Sequence, residues 1–304
     1  MNKKFAIACA DGMGDALITS IAAHHLRKQG HLATVFNSHL PKFGKYLEPG
    51  EYLSNHQHWK ETLKPFDAIL LQYEDTPRAR EILSLRKEGF IIYVIYTNYR
   101  FSKHGALTPF DYPVDEQKPM VSNVQQALLK LFQIEASTQN CLLPTLNLSH
   151  RKYTQRILIH PMSANPEKNW HSKKFLKLAG ALEKQGFEVL FILSPEERNS
   201  WPKEIHAPLF STLETLAETM YESGFFIGND SGPAHLASYY QIPHIVIAQG
   251  RQMPLWSSGW RSPILVLPPS WIPNIKWLRF REQRWQNCIT AGSVLRAFAK
   301  AISN

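Results

Sequence analysis

Residues Phe225 to Ala237 read Phe-Phe-Ile-Gly-Asn-Asp-Ser-Gly-Pro-Ala-His-Leu-Ala, which predicts a buried strand that runs into a small polar turn and opens a helix. Ser231 and Gly232 suit the helix start, and Pro233 suits its first turn, where a missing N–H costs nothing. The unpaired N–H groups and the dipole of such a helix end attract negative charge. The junction therefore predicts an anion-binding site.

Charged side chains accompany this junction. Asp230 and His235 place a carboxylate and an imidazole beside the turn, and Lys168 lies on the loop that follows the predicted strand Arg156 to His160. The ammonium group of Lys168 could neutralise a phosphate. Turns with Asp and Gly are common in plain structural roles, and most lysines are solvated, so spacing alone leaves the structural interpretation open.

The loop with Lys168 leads into a predicted amphipathic helix, Ser172 to Gln185, with Ser172 as its N-cap. A further strand, Val189 to Leu193, is followed by Ser-Pro-Glu-Glu, in which Glu197 could accept hydrogen bonds from ribose hydroxyls. Acidic residues at a helix start are equally explained by the helix dipole. Both interpretations of Glu197 stay open at this point.

A second junction of the same kind lies near the amino end. Phe5 to Ala10 predicts a buried strand, a turn follows, and a helix with apolar residues at helical spacing ends at Gly30. The glycines of the turn do not complete a dinucleotide fingerprint, because the third position is Leu17. What remains is one carboxylate, Asp15, at the carboxyl end of a strand, where open α/β sheets bind ligands.

Strands and helices alternate through both halves of the chain, which is typical of βαβ units. A chain of 304 residues exceeds what one core usually fills. The non-periodic stretch from Ala136 to Tyr153 places a domain boundary near residue 145, which predicts domains 1–145 and 146–304. Thr97 to Met120 is predicted to be a loop that could cover a ligand.

Composition narrows the class of protein. The formal charge of +9 favours anionic partners, whereas no nucleic-acid-binding motif occurs in its expected context. The three cysteines show no metal spacing, which suggests a reduced cytoplasmic setting. No apolar run reaches the about 20 residues that span a bilayer. The aromatic and basic segment Trp271 to Trp285 could contact a membrane surface, although Trp residues are more often packed on the core.

Several of these motifs occur together in a known order. Gly14-Asp15-Ala16-Leu17 comes first, then His160-Pro161 with Lys168-x-Trp170, and then Asn229 to Ala237 followed by Pro243. In this combination the chain resembles glycosyltransferase family 9, the ADP-heptose:lipopolysaccharide heptosyltransferases. The similarity runs over most of the chain, and the block from Asp230 to Ala237 is its most specific element.

The resemblance implies a GT-B architecture, in which two Rossmann-like α/β domains face each other across a cleft. The amino-terminal domain would bind the acceptor and the carboxyl-terminal domain the nucleotide sugar. Asp15 would be the general base, with Gly14 on the acceptor side. The residues implied for donor binding are Ser163, Lys168, Glu197, Asp230, Ser231, Gly232 and His235.

The implied activity is an inverting transfer of a sugar, heptose from ADP-heptose above all, onto a lipopolysaccharide core or related glycan. The chain has no Asp-x-Asp motif, so no cofactor and no metal are expected. The expected partners are the nucleotide-sugar donor and an anionic glycolipid or oligosaccharide acceptor, with transient contact with the cytoplasmic face of the inner membrane and no nucleic acid. A GT-B-like sugar-nucleotide epimerase or phosphorylase, or a non-catalytic nucleotide- or glycan-binding relative, is the alternative.

Overall fold

The computed structural model describes residues 2–55, 58–143, 147–163, 165–250, 259–272 and 279–303. The chain divides into two compact units, Met1–Pro144 and Thr145–Asn304. This division lies one residue before the boundary predicted from the sequence. Each unit contains its own parallel sheet with helices, so the predicted α/β class is confirmed.

The sheet of the first unit is parallel throughout its described strands. These are β1 (Lys4–Ala8), β2 (Leu32–Phe36), β3 (Glu51–Leu53), β4 (Ala68–Tyr73), β5 (Ile92–Tyr96) and β6 (Asp111–Pro113). Their order is β3-β2-β1-β4-β5-β6. The central strands β1 and β4 are buried almost along their whole length, which explains why they are continuous apolar runs in the sequence.

Helices connect these strands. They are α1 (Met13–Lys28), α2 (Trp59–Leu63), α3 (Pro77–Ser84), α4 (Phe101–His104) and α5 (Met120–Phe132), with 3₁₀ turns at Leu40–Tyr46 and Leu85–Glu88. The long helix α1 packs on β2 and α5. Just beyond α1, Gly30 has a φ of 83°, a left-handed conformation that favours glycine, so the predicted helix stop is confirmed.

The second unit repeats this construction with a second parallel sheet. Its described strands are β7 (Tyr153–His160), β8 (Glu188–Phe191), β9 (Ser223–Asn229), β10 (His244–Ile247) and β11 (Ile264–Val266). Their order in the sheet is β11-β10-β9-β7-β8. The helices are α6 (Ser172–Glu183), α7 (Pro195–Arg198), α8 (Leu213–Glu222), α9 (Gly232–Tyr239), α10 (Phe280–Gln283), α11 (Trp285–Cys288) and α12 (Ala291–Ile302), and Pro166–Lys168 is a 3₁₀ turn.

The predicted loop from Thr97 to Met120 is wrong in two places, because it contains α4 and β6. Strand β6 pairs in parallel with β5 although its sequence, Asp-Tyr-Pro, shows no apolar pattern. Its first residue, Asp111, is only 2% exposed and is held by an ion pair of 2.7 Å with Arg86. A charged partner, and not hydrophobic periodicity, therefore stabilises this edge strand.

Two smaller predictions also need correction. The N-cap of α6 is His171, so Ser172 is the first helical residue and not the cap. The reason is that Trp170, just before the cap, is buried and its N–H is bound by Asn229, which fixes where the helix can begin. Within the segment 271–285, Trp285 is packed in the core, as predicted, whereas Trp271 is 80% exposed. Lys276 and Trp277 lie outside the described residues.

None of the helices within the described ranges is long and apolar enough to cross a lipid bilayer.

Candidate active site

The turn between β1 and α1 in the first unit is held from three sides by polar side chains. The amide of Asn37, at the end of β2, donates to the carbonyl of Ala10 over 2.8 Å. The N–H of Ala10 donates over 3.1 Å to Oε1 of Gln72, on β4. Arg78, on α3, donates to the carbonyl of Cys9. Because parallel strands leave backbone groups unpaired at their ends, these side chains supply hydrogen bonds that help to fix the turn.

Asp15 lies in the first turn of α1, where the sequence predicted a functional carboxylate. Its Oδ1 accepts a hydrogen bond of 2.7 Å from Nε2 of Gln72. The N-cap is Gly12, and a side chain there would overlap with Oδ2 of Asp15. Gly14 is buried in the same turn, so of the Gly14–Asp15 pair only Asp15 reaches the surface. The half-buried Asp15 carboxylate is therefore oriented by neighbouring strands.

A second carboxylate, Glu74, stands just beyond the end of β4. Burial, followed by repulsion from Asp15, raises the pKa of Glu74 to about 7, and Arg78 opposes this rise. The Arg78 guanidinium also forms an ion pair of 3.3 Å with the exposed Asp11. The edge of the first sheet thus combines three carboxylates with one guanidinium.

In the second unit, Asn229 at the end of β9 has the corresponding position. Its side chain is fully buried, donates to the carbonyl of Pro161 over 2.6 Å and accepts from the N–H of Trp170 over 3.0 Å. The loop between β7 and α6 is therefore fastened to the neighbouring strand. Ser163 lies on this loop, and its hydroxyl donates to Oδ1 of Asn169 over 2.7 Å.

Lys168 and Asp230, both predicted to bind the donor, come together in this unit. The Lys168 ammonium lies 3.5 Å from Oδ2 of Asp230, and the side chains are 54% and 12% exposed. An ion pair this exposed contributes about 0–1 kcal/mol, so it leaves the ammonium able to bind another anion.

The turn that carries Lys168 is supported by a segment from near the end of the chain. The indole N–H of Trp285 and the side-chain amide of Gln286 donate to the carbonyl of Glu167, over 3.1 and 2.9 Å. Lys174 in turn donates to the carbonyls of Gln286 and Ile289, over 2.6 and 2.7 Å. The segment 285–289 therefore braces the Lys168 turn.

Helix α9 begins at Gly232, with Ser231 as an N-cap whose side chain forms no capping hydrogen bond. The Ser231 hydroxyl instead donates to the carbonyl of Asn229 over 3.2 Å and lies 2.9 Å from Nδ1 of His160. Burial lowers the pKa of His160 to about 4, so this imidazole is neutral at pH 7. His235 is buried within α9, at 7% exposure. No side chain therefore caps the described amino end of α9.

Glu197 has a local structural role at the start of α7. Its carboxylate accepts from the N–H of Ser194 over 2.7 Å, and its own N–H donates to the Ser194 hydroxyl over 3.2 Å. This is a capping box at the start of α7. The contact of Glu197 with a ribose stays a prediction.

The arrangement offers two chemical capabilities. In the second unit, the Lys168 ammonium and the uncapped end of α9 suit a diphosphate. In the first unit, Asp15 suits the role of a proton acceptor. The described parts of the chain contain no group of three or more His, Cys, Asp and Glu side chains that could hold a metal ion.

Sequence reasoning missed three residues that build these sites: Gln72, Glu74 and Arg78. It placed His160 and Asn229 in the family motifs but assigned no role to them. For Gln72 a signal was present, because one amide ends the apolar run Ala-Ile-Leu-Leu. The position of Glu74 and Arg78 beside Asp15 depends on the strand order, and no local pattern in the sequence reports it.

The fold resembles that of solved glycosyltransferases. E. coli heptosyltransferase WaaC with ADP is 14% identical, with a TM-score of 0.67 over 98% of this chain and 99% of that one. E. coli ADP-heptose LPS heptosyltransferase II is 14% identical, with a TM-score of 0.68 over 98% of each chain. The iron-containing dodecameric glycosyltransferase TibC from enterotoxigenic E. coli is 15% identical, with a TM-score of 0.62 over 99% of this chain and 76% of that one. The fold class is therefore GT-B.

A family match identifies the chain more closely. Residues 102–247 match the family model of glycosyltransferase family 9 (heptosyltransferase), a region that contains Lys168, Asp230 and the start of α9. The match confirms the family resemblance seen in the motifs and identifies the chain as a glycosyltransferase. No curated protein sequence matches the chain.

The raised pKa of Glu74 predicts a pH-dependent stability. The folded chain binds this proton up to about pH 7, whereas an ordinary glutamate releases it near pH 4.5. Ionised Glu74 therefore costs folding free energy, and the cost grows as the pH rises through this window. We expect Glu74→Gln to raise the melting temperature relative to the native chain more at about pH 8 than at about pH 5.

The control is Glu81→Gln, which removes an exposed carboxylate from α3. Thermal unfolding of the three proteins at both pH values provides the comparison. An equal effect of Glu74→Gln at both pH values would show that Glu74 is not held in its protonated form.

Proposed function

We propose that the chain is an inverting, metal-independent glycosyltransferase that moves a heptose from ADP-heptose onto a lipopolysaccharide core or a related glycan acceptor. The second unit would bind the donor and the first unit the acceptor. Two structural neighbours, the E. coli heptosyltransferase WaaC with ADP and the E. coli ADP-heptose LPS heptosyltransferase II, support this choice of donor.

The observation that carries the proposal is the anion site of the second unit, inside the region that matches the family model. Lys168 stands beside Asp230 at a helix start whose N-cap residue, Ser231, forms no capping hydrogen bond. A nucleoside diphosphate would bind the ammonium of Lys168 and the N–H of Gly232, while Asp230 would contact the donor sugar. Ser231, His235 and Ser163 would complete the phosphate side, and Glu197 would bind the ribose.

In the proposed reaction, the acceptor hydroxyl oxygen attacks the anomeric carbon of the donor sugar while Asp15 takes the hydroxyl proton. The bond between that carbon and the diphosphate oxygen breaks, and the diphosphate leaves with the electron pair. A single displacement of this kind inverts the anomeric configuration. Negative charge on the leaving group would be stabilised by Lys168 and the end of α9, which supports transfer without a metal.

The acceptor is proposed to be anionic, since the chain carries a net charge of +9. A lipid on the acceptor would bring this enzyme transiently to the cytoplasmic membrane face. Co-sedimentation with anionic vesicles that weakens as salt is added would support this location, and its absence would count against it.

Transfer itself is tested with ADP-heptose in three parallel reactions: with a glycan acceptor, without one, and with acceptor plus a chelator after metal removal. The transferase proposal expects a new glycan product in the first and third reactions only. Turnover of the sugar without acceptor would favour the epimerase alternative. Activity that disappears on metal removal and returns with iron would contradict metal independence, a relevant outcome because TibC contains iron.

Asp15→Asn is expected to lower kcat by roughly 10²- to 10⁴-fold while ADP binding stays close to native, because a general base acts only in the chemical step. Asp11→Asn is the control, since it removes an exposed carboxylate from the same turn. The measurements are initial rates and ADP affinity. Full turnover in Asp15→Asn, or a parallel loss of ADP affinity, would rule out this role.

Lys168→Ala is expected to weaken ADP binding, because a charge-assisted contact with the diphosphate is lost. Thermal shifts with ADP, UDP, GDP and CDP report this directly, since a ligand of the native state raises the melting temperature. The native chain should respond to ADP above the other nucleotides. Lys173→Ala, which removes an exposed lysine from α6, is the control and should keep the native response. An unchanged ADP shift in Lys168→Ala would contradict the assignment.

A further inference from the structure

Gln72 is a fully buried amide in an apolar strand. It follows the run Ala-Ile-Leu-Leu in β4 and is 0% exposed. Burial of an amide without hydrogen-bond partners destabilises the fold by about 1–3 kcal/mol, whereas burial of an apolar side chain carries no such desolvation penalty. The hydrogen-bond partners of Gln72 therefore decide why an amide is present at this position.

The hydrogen bonds of Gln72 determine which way its amide points. The backbone N–H of Ala10 can only donate, so the group 3.1 Å away must be the amide oxygen. The hydroxyl of Thr19 donates to the same oxygen over 2.5 Å. The amide nitrogen is consequently turned towards Asp15, and it donates to Oδ1 over 2.7 Å. The N–H of Ala10, in the turn before α1, therefore determines that the nitrogen of the Gln72 amide, and not its oxygen, faces Asp15.

We propose that Gln72 is a positioning residue for the transfer reaction, which keeps the Asp15 carboxylate ionised and in one orientation. This inference rests on the proposed function, in which Asp15 is the base. A carboxylate that accepts an N–H bond is stabilised in its charged form, and a base must be ionised before it can take a proton.

The charges around Asp15 show why such support matters. Asp15 and Glu74 beyond β4 repel each other, so each opposes the ionisation of the other, and Arg78 on α3 is a nearby cation that favours the ionised form of Glu74. The thiol of Cys9, at the end of β1, is neutral because burial raises its pKa well above the usual range. Arg78 donates to the carbonyl of Cys9 and pairs with Asp11, and the amide of Gln72 donates directly to Oδ1 of Asp15.

Two substitutions of Gln72 separate positioning from simple packing. Gln72→Glu keeps an oxygen for Ala10 and Thr19 but places a second carboxylate against Asp15, so that the pair must share a proton. Gln72→Met keeps the approximate volume and removes the donor without adding charge. We expect the acidic limb of the kcat–pH profile to move to higher pH, by about one unit or more in Gln72→Glu and by less in Gln72→Met. Turnover should recover towards native above the shifted limb.

The matched control is Gln125→Glu, which adds the same charge on α5, where the native amide donates to the carbonyl of Ala136 over 2.7 Å. Its pH profile should coincide with the native one. If both Gln72 variants lower turnover equally at every pH, with the limb unmoved, Gln72 acts only in packing and the inference is wrong.

A second measurement does not depend on transfer. Carbon-13 NMR of labelled Asp side chains gives the titration midpoint of Asp15, whose signal is identified by its loss in Asp15→Asn. The midpoint should rise in both Gln72 variants relative to the native chain. A risen midpoint in a chain without transferase activity would confirm that Gln72 keeps Asp15 ionised, and would place the failure in the proposed function. Native transfer with an unmoved midpoint would refute the inference alone.

Discussion

A buried side-chain amide at the end of a parallel strand holds the functional loop in each unit. Gln72 follows four apolar residues in β4 and binds the turn before α1, and Asn229 ends β9 and binds the loop before α6. The constraint behind both is the geometry of parallel strands, whose carboxyl ends leave N–H and C=O groups without ladder partners. An amide suits this place because it donates and accepts at once.

The two units carry side chains of opposite charge at the ends of these strands. In the first, carboxylates gather at the sheet edge: Asp15 is bound by an amide, while burial keeps Glu74 protonated up to about pH 7. In the second, a lysine stands beside a helix start that no described side chain caps, because the Ser231 hydroxyl is engaged with Asn229 and His160. One edge is suited to accept a proton and the other to hold a phosphate.

Much of this fold could be predicted from the sequence because buried parallel strands contain continuous apolar runs, which β1, β4, β9 and the second half of β7 all show. The exceptions have physical causes. Strand β6 is held by the ion pair of Asp111 with Arg86, which hydrophobic periodicity cannot report. The helix start of the anion site was recognisable because residues 230 to 235 are close in sequence, whereas Lys168, 62 positions from Asp230, was found only through the order of the family motifs. Gln72 is 57 positions from Asp15 and is brought to it by strand pairing, which no motif reported.

The hydrogen bonds from residues 285–289 affect when the turn with Lys168 can fold. The turn with Lys168 obtains two of its hydrogen bonds from Trp285 and Gln286, more than a hundred residues downstream. During synthesis, the strand and helix around this turn leave the ribosome long before those partners exist. The turn with Lys168 should therefore reach its final conformation late in translation, when residues 285–289 emerge and dock.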